Sequence, residues 1–356
     1  MKKILLTIFK YILAFGIAII LLWWSLHGLS EKDTADIKAA LLRANYEIIV
    51  PVFLILLTSH FFRALRWKQL IQTLGYKPPL LYLLCGILVG YIANQLIPRA
   101  GEIVRCTAIS KKIDVPAEKL IGTMVAERAF DVVCLMFIAA ATLVIEYHAV
   151  SAYAFEIFHA LKKGILHGGP KRWYILGGII LVVLIVLWLI QQYRTHKRGL
   201  YLRKLFKGLA MGISSVSNVK NKPLFFLYTL AIWSAYALAT WMGCWALRET
   251  ASLGLDTALA MLVFGTFGII VAPGGLGAYP LAIQRVLVQY NIAETIALAS
   301  GWLLWIAQFL FTVLFGTIAW LTIRLMKPHT ARPDAGGGEA EVSDPVVYKQ
   351  DNLTSR

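Results

Sequence analysis

Residues 94–106 read NQLIPRAGEIVRC, and they follow directly on the apolar run LLYLLCGILVGYIA at 80–93. The apolar run predicts a helix in a membrane, yet it turns within a dozen residues into Asn, Pro, Arg, Gly and Glu. Pro98 and Gly101 interrupt a helix, because Pro lacks the amide donor and Gly favours other backbone conformations. Backbone groups freed at membrane depth are stable only where they line a protein-buried or watered cavity. The stretch therefore predicts a broken helix beside a polar cavity.

The composition places nearly the whole chain in a bilayer. Of its 356 residues, 59% are hydrophobic and 15% are charged. A span needs about 20 apolar residues, and we predict such spans at 4–26, 46–62, 120–146, 173–191, 224–247 and 293–323. Two further apolar segments end in a break: residues 80–97 run into NQLIPRAGE, and residues 257–272 run into APGGLGAYP.

The distribution of bases decides how the two broken segments are threaded. The loop at 192–222 carries eight Lys and Arg residues and no acid, so it belongs on the cytoplasmic side, where Lys2, Lys3 and Lys10 also lie. That placement requires residues 80–112 to form a re-entrant hairpin and residues 257–290 to form a second one that enters from the outer side. The alternative is eight complete spans.

These arguments predict an all-α polytopic membrane protein with six transmembrane helices, two re-entrant hairpins and both termini in the cytoplasm. Hairpins that enter from opposite faces suggest an inverted repeat, although the two halves share no evident residue-level similarity. Residues 1–326 form the membrane domain in this scheme. Residues 327–356 are rich in Gly, Pro and polar residues and are expected to be a disordered tail.

The net charge of +16 does not indicate a nucleic-acid-binding protein. The bases lie in loops beside apolar spans, where anionic lipid and the positive-inside rule account for them. The four cysteines are scattered through apolar segments without the spacing of a metal site or a disulfide framework. We therefore expect no nucleic acid, metal or cofactor.

The first candidate binding residues lie around the first break. Asn94, Arg99, Glu102 and Arg105 would face the cavity that the broken helix requires. Glu102 and Arg105 are three residues apart, so they can pair and offset each other's desolvation. The alternative interpretation is an ordinary cytoplasmic loop with surface charges.

A second charged group lies near the start of a long apolar span, in TMVAERAFDVVCL at 123–135. Glu127 and Asp131 are four residues apart on one helical face, and Arg128 can bridge them. Ionisable residues within a span usually face a cavity and mark function, because burial in lipid costs at least about 2.5 kcal/mol each. The alternative is that these residues anchor the helix end at headgroup depth.

The third feature is APGGLGAYP at 272–280, which predicts a hairpin tip or hinge. Its glycines permit left-handed backbone and its prolines fix the turn. The candidate hinge and break residues of both motifs are Pro98, Gly101, Pro273, Gly274, Gly275, Gly277 and Pro280.

Arg285 is the nearest charge after the glycine motif that can reach a lipid phosphate. His60, at the end of the second span, is expected to be an interfacial residue.

The two long motifs, in this order, resemble the membrane domain of bacterial lysylphosphatidylglycerol synthases/flippases and their stand-alone relatives, over roughly residues 5–325. The resemblance implies movement of aminoacylated or other phospholipids between leaflets. It also implies that the candidate residues named above, from Asn94 to Gly277, occupy the family's motif positions. Tyr279 and Pro280 stand where many relatives carry an acid soon after the glycine motif. No aminoacyl-transferase domain follows the last span, so we do not expect synthesis of aminoacyl lipids.

The sequence thus predicts a flippase-like lipid transporter of the bacterial inner membrane that binds a phospholipid or a lipid-linked headgroup. The arginines would attract an anionic headgroup, and the acids would orient them or recognise a cationic headgroup. An accessory protein of envelope lipid or glycan synthesis that binds without transporting is the main alternative. A membrane-embedded transferase is the other, although no catalytic constellation is evident in the sequence.

Overall fold

The computed structural model describes residues 29–97, 100–145 and 218–329, together with positions 16, 18–23, 25 and 27. Every regular element in these ranges is helical. The helices are α1 (Glu31–Leu42), α2 (Ile49–Gln72), α3 (Leu80–Leu96), α4 (Gly101–Ile113), α5 (Ala117–Ile145), α6 (Lys222–Cys244), α7 (Leu255–Val271), α8 (Ala278–Gln289) and α9 (Glu294–Leu325). Short 3₁₀ turns occupy Tyr46–Ile48 and Pro273–Gly275.

The all-α, multi-pass architecture is confirmed. Helices α5, α6 and α9, and the segment Tyr46–Gln72 that contains α2, are long and apolar enough to cross a membrane. Helices α3 and α7 are shorter apolar helices, as expected for broken segments. The predicted span at 173–191, most of the predicted span at 4–26 and the tail from residue 330 lie outside the described residues.

The second span is longer than the sequence suggested. We predicted it over 46–62, which leaves Arg63 and Arg66 beyond its cytoplasmic end, but α2 continues to Gln72. Residues 63–72 contain no Pro or Gly, and Arg, Leu, Lys and Gln all favour a helix. The chain leaves the helical path only at Gly75, whose φ is 82°. Both arginines therefore lie on a helix within the bundle.

The first hairpin consists of α3, which ends at Leu96, and α4, which begins at Gly101. The side-chain oxygen of Asn94 accepts the backbone N–H of Gly101 at 2.7 Å, which satisfies one of the free amides at the start of α4. Gly101 is the first residue of α4 and lies outside the break, contrary to our expectation. A side chain there would run into the carbonyl of Gly90, so close helix approach accounts for this glycine. Pro98 lies outside the described residues.

The second hairpin consists of α7 and α8, joined by the turn that begins at Pro273. Gly274, Gly275 and Gly277 have φ values of 59°, 74° and 73°, so left-handed backbone explains all three glycines, as predicted. The indole N–H of Trp305 donates to the Gly274 carbonyl at 2.8 Å. Pro280 is not a break residue, contrary to our prediction. It lies in the first turn of α8, where the missing amide costs no helical hydrogen bond.

The described helices fall into two sets of four with the same order of lengths, which we call the two repeats. Helices α2 to α5 have lengths of 24, 17, 13 and 29 residues, and α6 to α9 have lengths of 23, 17, 12 and 32. Arg63 contacts Tyr236, and Arg66 contacts the earlier residue Thr229, so α2 and α6 run antiparallel. Helix α3 begins shortly after α2 ends, and α7 begins shortly after α6 ends. The two hairpins therefore enter the bundle from opposite ends.

The tips of the two hairpins meet inside the bundle. Helix α3 packs on α9, α7 packs on α5, and α3 also contacts the Pro273–Gly275 turn. A Cβ atom at Gly274 would collide with Oε1 of Gln95 near the end of α3. Each hairpin thus packs against the last helix of the other repeat. Because the two tips are in contact, we expect that neither tip can move without displacing the other.

The close approach of α3 and α4 yields a stability prediction. Gly101→Ala places a methyl group against Gly90 and within 2.6 Å of Asn94 Cγ, so we expect the free energy of unfolding to fall by about 1–3 kcal/mol. Gly122→Ala on α5 is the matched control, because its Cβ would have no heavy atom within 4 Å. Thermal unfolding in detergent measures both. Equal stability of the two variants would contradict the packing described.

Candidate functional site

A buried group of ionised side chains joins the first hairpin to α2 and α5. We call it the arginine–carboxylate cluster, and it comprises Arg63, Arg66, Arg105, Glu127, Arg128 and Asp131. Helix α2 supplies two of the arginines, α4 supplies one, and α5 supplies the other three residues. On α2 the arginines are three residues apart and share one helical face, as do Glu127 and Asp131 on α5. The antiparallel packing of α2 and α5 brings these faces together.

Glu127 is at the centre of the cluster, with its side chain fully buried. Its Oε1 accepts from Arg63 at 2.9 Å and lies 3.5 Å from the guanidinium of Arg66. Its Oε2 accepts from Arg105 at 2.6 Å. One carboxylate therefore links three arginines that come from two helices.

Asp131, one turn further along α5, completes the ion pairs. Its Oδ1 accepts from Arg66 at 2.5 Å, and its Oδ2 accepts from Arg63 at 2.8 Å. Arg128 approaches the same Oδ2 only to 3.7 Å. All four carboxylate oxygens of the cluster therefore face a guanidinium group.

The cluster carries more positive than negative charge, since four guanidinium groups surround two carboxylates. Pairing offsets the large desolvation cost of ions buried in a bundle. Among the described residues, the four guanidinium groups therefore share two carboxylates. Arg128 has the weakest ion pair and a side chain that is 36% exposed, whereas Arg63, Arg66 and Arg105 are buried. Arg128 is thus the member most open to a ligand.

Neutral side chains hold the arginines in place. The Trp67 ring lies 4.0 Å from the Arg105 guanidinium carbon, and its indole N–H donates to Thr123. Arg66 donates to the hydroxyl of Thr229, and Arg63 donates to the hydroxyl of Tyr236. These contacts fix the guanidinium planes, so the site is preorganised.

Several buried polar atoms in and beside the cluster have no hydrogen-bond partner among the described residues. They are the Nε atoms of Arg63, Arg66, Arg105 and Arg128, Nη1 of Arg105 and Nδ1 of His60. Buried donors without acceptors are costly, and those found in native structures call for a specific explanation. Together with the excess positive charge, they favour an anion with several acceptor oxygens.

The structure separates the residues that the sequence grouped together. Arg105 pairs with Glu127 and not with Glu102, its predicted partner, because α5 brings a better-buried carboxylate to it. Glu102 is half-buried, with one buried carboxylate oxygen that has no hydrogen-bond partner among the described residues. Asn94 holds the hairpin turn through Gly101. Arg99 lies outside the described residues.

Arg285 lies apart from the arginine–carboxylate cluster. It lines a different cavity, of about 500 Å³, between α8, the start of α9 and the chain around residues 21–33. Asp33 and Glu294 also line this cavity. The backbone N–H and hydroxyl of Ser30 donate to Asp33 and hold the pKa of that carboxyl below its usual range. The prediction that Arg285 reaches a lipid phosphate therefore concerns this cavity and not the arginine–carboxylate cluster.

Sequence reasoning missed Arg63, Arg66 and His60 as members of the site. His60 is buried against the rings of Tyr91 and Phe311, so its predicted interfacial position is wrong. One available signal was spacing, because residues 59, 63, 66, 67 and 70 form a continuous helical face that extends beyond the predicted span end.

The cluster predicts a large stability effect for one charge removal. Glu127→Gln leaves three buried guanidinium groups without their shared anion, so we expect the free energy of unfolding to fall by about 3–5 kcal/mol. Glu118→Gln, an exposed position on the same helix, should change it by less than about 0.5 kcal/mol. Denaturation in detergent micelles tests both, and a Glu127→Gln protein as stable as the control would refute the pairing.

Comparison with known proteins places the chain in a family. It is 20% identical over 312 residues to a UPF0104 membrane protein of Methanocaldococcus jannaschii, an alignment that covers 80% of this chain and 87% of that relative. It is also 24% identical over 113 residues to glycosyltransferase AglD of Haloferax volcanii, which covers 32% of this chain and 18% of that protein. No solved structure matches the chain. Residues 11–316 match the family described as the lysylphosphatidylglycerol synthase TM region, and the chain belongs to that family.

Proposed function

We propose that this protein is a flippase-like lipid transporter that binds a phospholipid or lipid-linked headgroup at the arginine–carboxylate cluster. The observation that carries the proposal is a buried cluster with four guanidinium groups to two carboxylates, with guanidinium donors that have no partner among the described residues, and open at Arg128. A guanidinium group suits a phosphate because it offers several donors in one plane. The family assignment supports a role in a membrane lipid or glycan pathway.

The inverted repeat supports transport as the activity. Two hairpins that enter from opposite ends and touch at their tips provide two candidate gates around one central region. In this proposal the gates open alternately, with flexing at the break before Gly101 and at Gly274–Gly277. The protein would reside in the bacterial cytoplasmic membrane with both termini on the cytoplasmic side.

A second candidate function is an accessory role in envelope glycan or lipid synthesis. The similarity of 113 residues to a protein named as a glycosyltransferase favours a connection with glycan assembly. In that case the cluster would hold a lipid-linked substrate without moving it between leaflets. We propose that the chain is not itself an enzyme, and turnover of a lipid substrate by the purified protein would contradict this.

A leaflet-exchange assay in proteoliposomes tests the proposal. Reconstituted protein should accelerate the exchange of a fluorescent anionic phospholipid between leaflets. Arg128→Gln should slow it by about tenfold, because loss of one charge-assisted contact is worth roughly 1.5 kcal/mol. Arg248→Gln, which removes an exposed arginine outside the cluster, is the control and should leave the rate unchanged. Lipid binding without exchange would contradict the transporter and support the accessory role.

A further inference from the structure

The carboxylates of the cluster are fully engaged, and this restricts what the site can accept. Both oxygens of Glu127 and of Asp131 face arginines. Five of these contacts are between 2.5 and 3.5 Å, and a sixth, between Arg128 and Asp131, is longer. An ammonium group in a headgroup would therefore find no carboxylate oxygen in the cluster without a guanidinium on it. It would also meet the excess positive charge of the arginines. The cluster itself thus disfavours amine-bearing headgroups.

Neutral polar groups from three helices adjoin the cluster: two residues one turn before Arg63 on α2, and one tyrosine each from α3 and α6. Ser59 and His60 are buried, with exposed fractions of 0% and 6%. His60 Nδ1 has no hydrogen-bond partner among the described residues, and the Ser59 hydroxyl lies beside the Tyr236 hydroxyl. Tyr91 and Tyr236 flank His60, with ring centroids 4.7 Å and 6.5 Å from the imidazole. We call Ser59, His60, Tyr91 and Tyr236 the polar turn.

The polar turn is connected to the charged cluster. The Tyr236 hydroxyl accepts from Arg63 at 3.3 Å, and Arg63 in turn donates to both carboxylates. A ligand phosphate near Arg63 and Arg128 would therefore place its substituent beside Ser59 and His60. Hydroxyl, phenol and imidazole groups both donate and accept hydrogen bonds, and the aromatic rings offer apolar faces. This combination suits a headgroup with several hydroxyls.

We infer that the site selects an anionic phospholipid whose headgroup is a sugar or another polyol, and that it discriminates against amine-bearing headgroups. This inference rests on the proposed function, since it assumes that the cluster holds the headgroup phosphate. The guanidinium groups take the phosphate, and the polar turn takes the hydroxyls. A soluble sugar phosphate carries the same chemistry, so the test must distinguish it from a lipid.

The test compares lipids that differ in the headgroup alone. Phosphatidylinositol and phosphatidylmethanol each carry one negative charge, but only the first carries hydroxyls. In native mass spectrometry of the detergent-solubilised protein, phosphatidylinositol should be retained about fivefold more strongly. Phosphatidylethanolamine should be retained more weakly than either. Inositol phosphate added in solution should not displace the lipid, whereas displacement at equal concentration would assign the site to a soluble ligand and overturn the inference.

Two conservative variants locate the selectivity. Ser59→Ala and Tyr236→Phe each remove one hydroxyl and should reduce the preference for phosphatidylinositol towards equality, with phosphatidylmethanol binding retained. Thr58→Ala is the matched control, because Thr58 is an exposed neighbour whose hydroxyl bonds to Leu54 within its own helix. The Thr58→Ala protein should prefer phosphatidylinositol as strongly as the unmodified protein does. An unchanged preference in both test variants would overturn the assignment of the polar turn.

Further outcomes separate this inference from the proposed function. If both anionic lipids bind equally well and both are lost in Arg128→Gln, the selectivity is wrong and the cluster site stands. If binding of every lipid survives Arg128→Gln, the proposed function fails as well. If phosphatidylethanolamine is preferred and the preference disappears in Glu102→Gln, the half-buried Glu102 recognises the amine and the inference is overturned.

Discussion

The fold depends on one constraint: charges buried within a membrane bundle must be paired with other charges. Helix α5 supplies Glu127 and Asp131 to guanidinium groups from α2 and α4. Removing either carboxylate would leave buried cations, so these helices cannot separate without a large electrostatic cost. The ion pairs therefore fix the first broken hairpin against its own repeat. This attachment holds α4 against α5 although the backbone of the hairpin is interrupted.

The two repeats share a scaffold but differ in chemistry. Gly90 packs against Gly101 and Arg105, and Gly268 packs in the same way against Ala278 and Tyr279. In the first repeat the hairpin is joined to the closing helix by the Arg105–Glu127 ion pair. In the second repeat, Gln308 donates to the hydroxyl of Tyr279 at 3.3 Å. Tyr279, which stands where many relatives carry an acid, thus makes a neutral contact in the second repeat where the first repeat has an ion pair. Among the described residues, the buried ion pairs lie in the first repeat.

Sequence reasoning identified the features that local chemistry determines. The glycines at 274–277 predicted the second break, and the apolar length predicted the spanning helices that are described. It also identified Glu127, Arg128 and Asp131, because charges inside an apolar span stand out. It did not find Arg63 and Arg66, since a basic residue after an apolar run usually marks a cytoplasmic loop. It gave Arg105 the wrong partner, because a neighbour on the same helix is visible in sequence and a contact across 22 residues is not. The separate location of Arg285 likewise depends on tertiary packing.

The family description names a lysylated lipid, whereas the cluster in this chain has its carboxylates occupied and an excess of positive charge. The central claim is that the hairpin is held to α5 by an ion pair whose partners depend on each other. A double-mutant cycle of Arg105→Met and Glu127→Leu, measured by unfolding in micelles, tests this most directly. We predict a coupling energy of about 2 kcal/mol, with the double variant more stable than the two single effects would give. Strict additivity of the two substitutions would contradict the account.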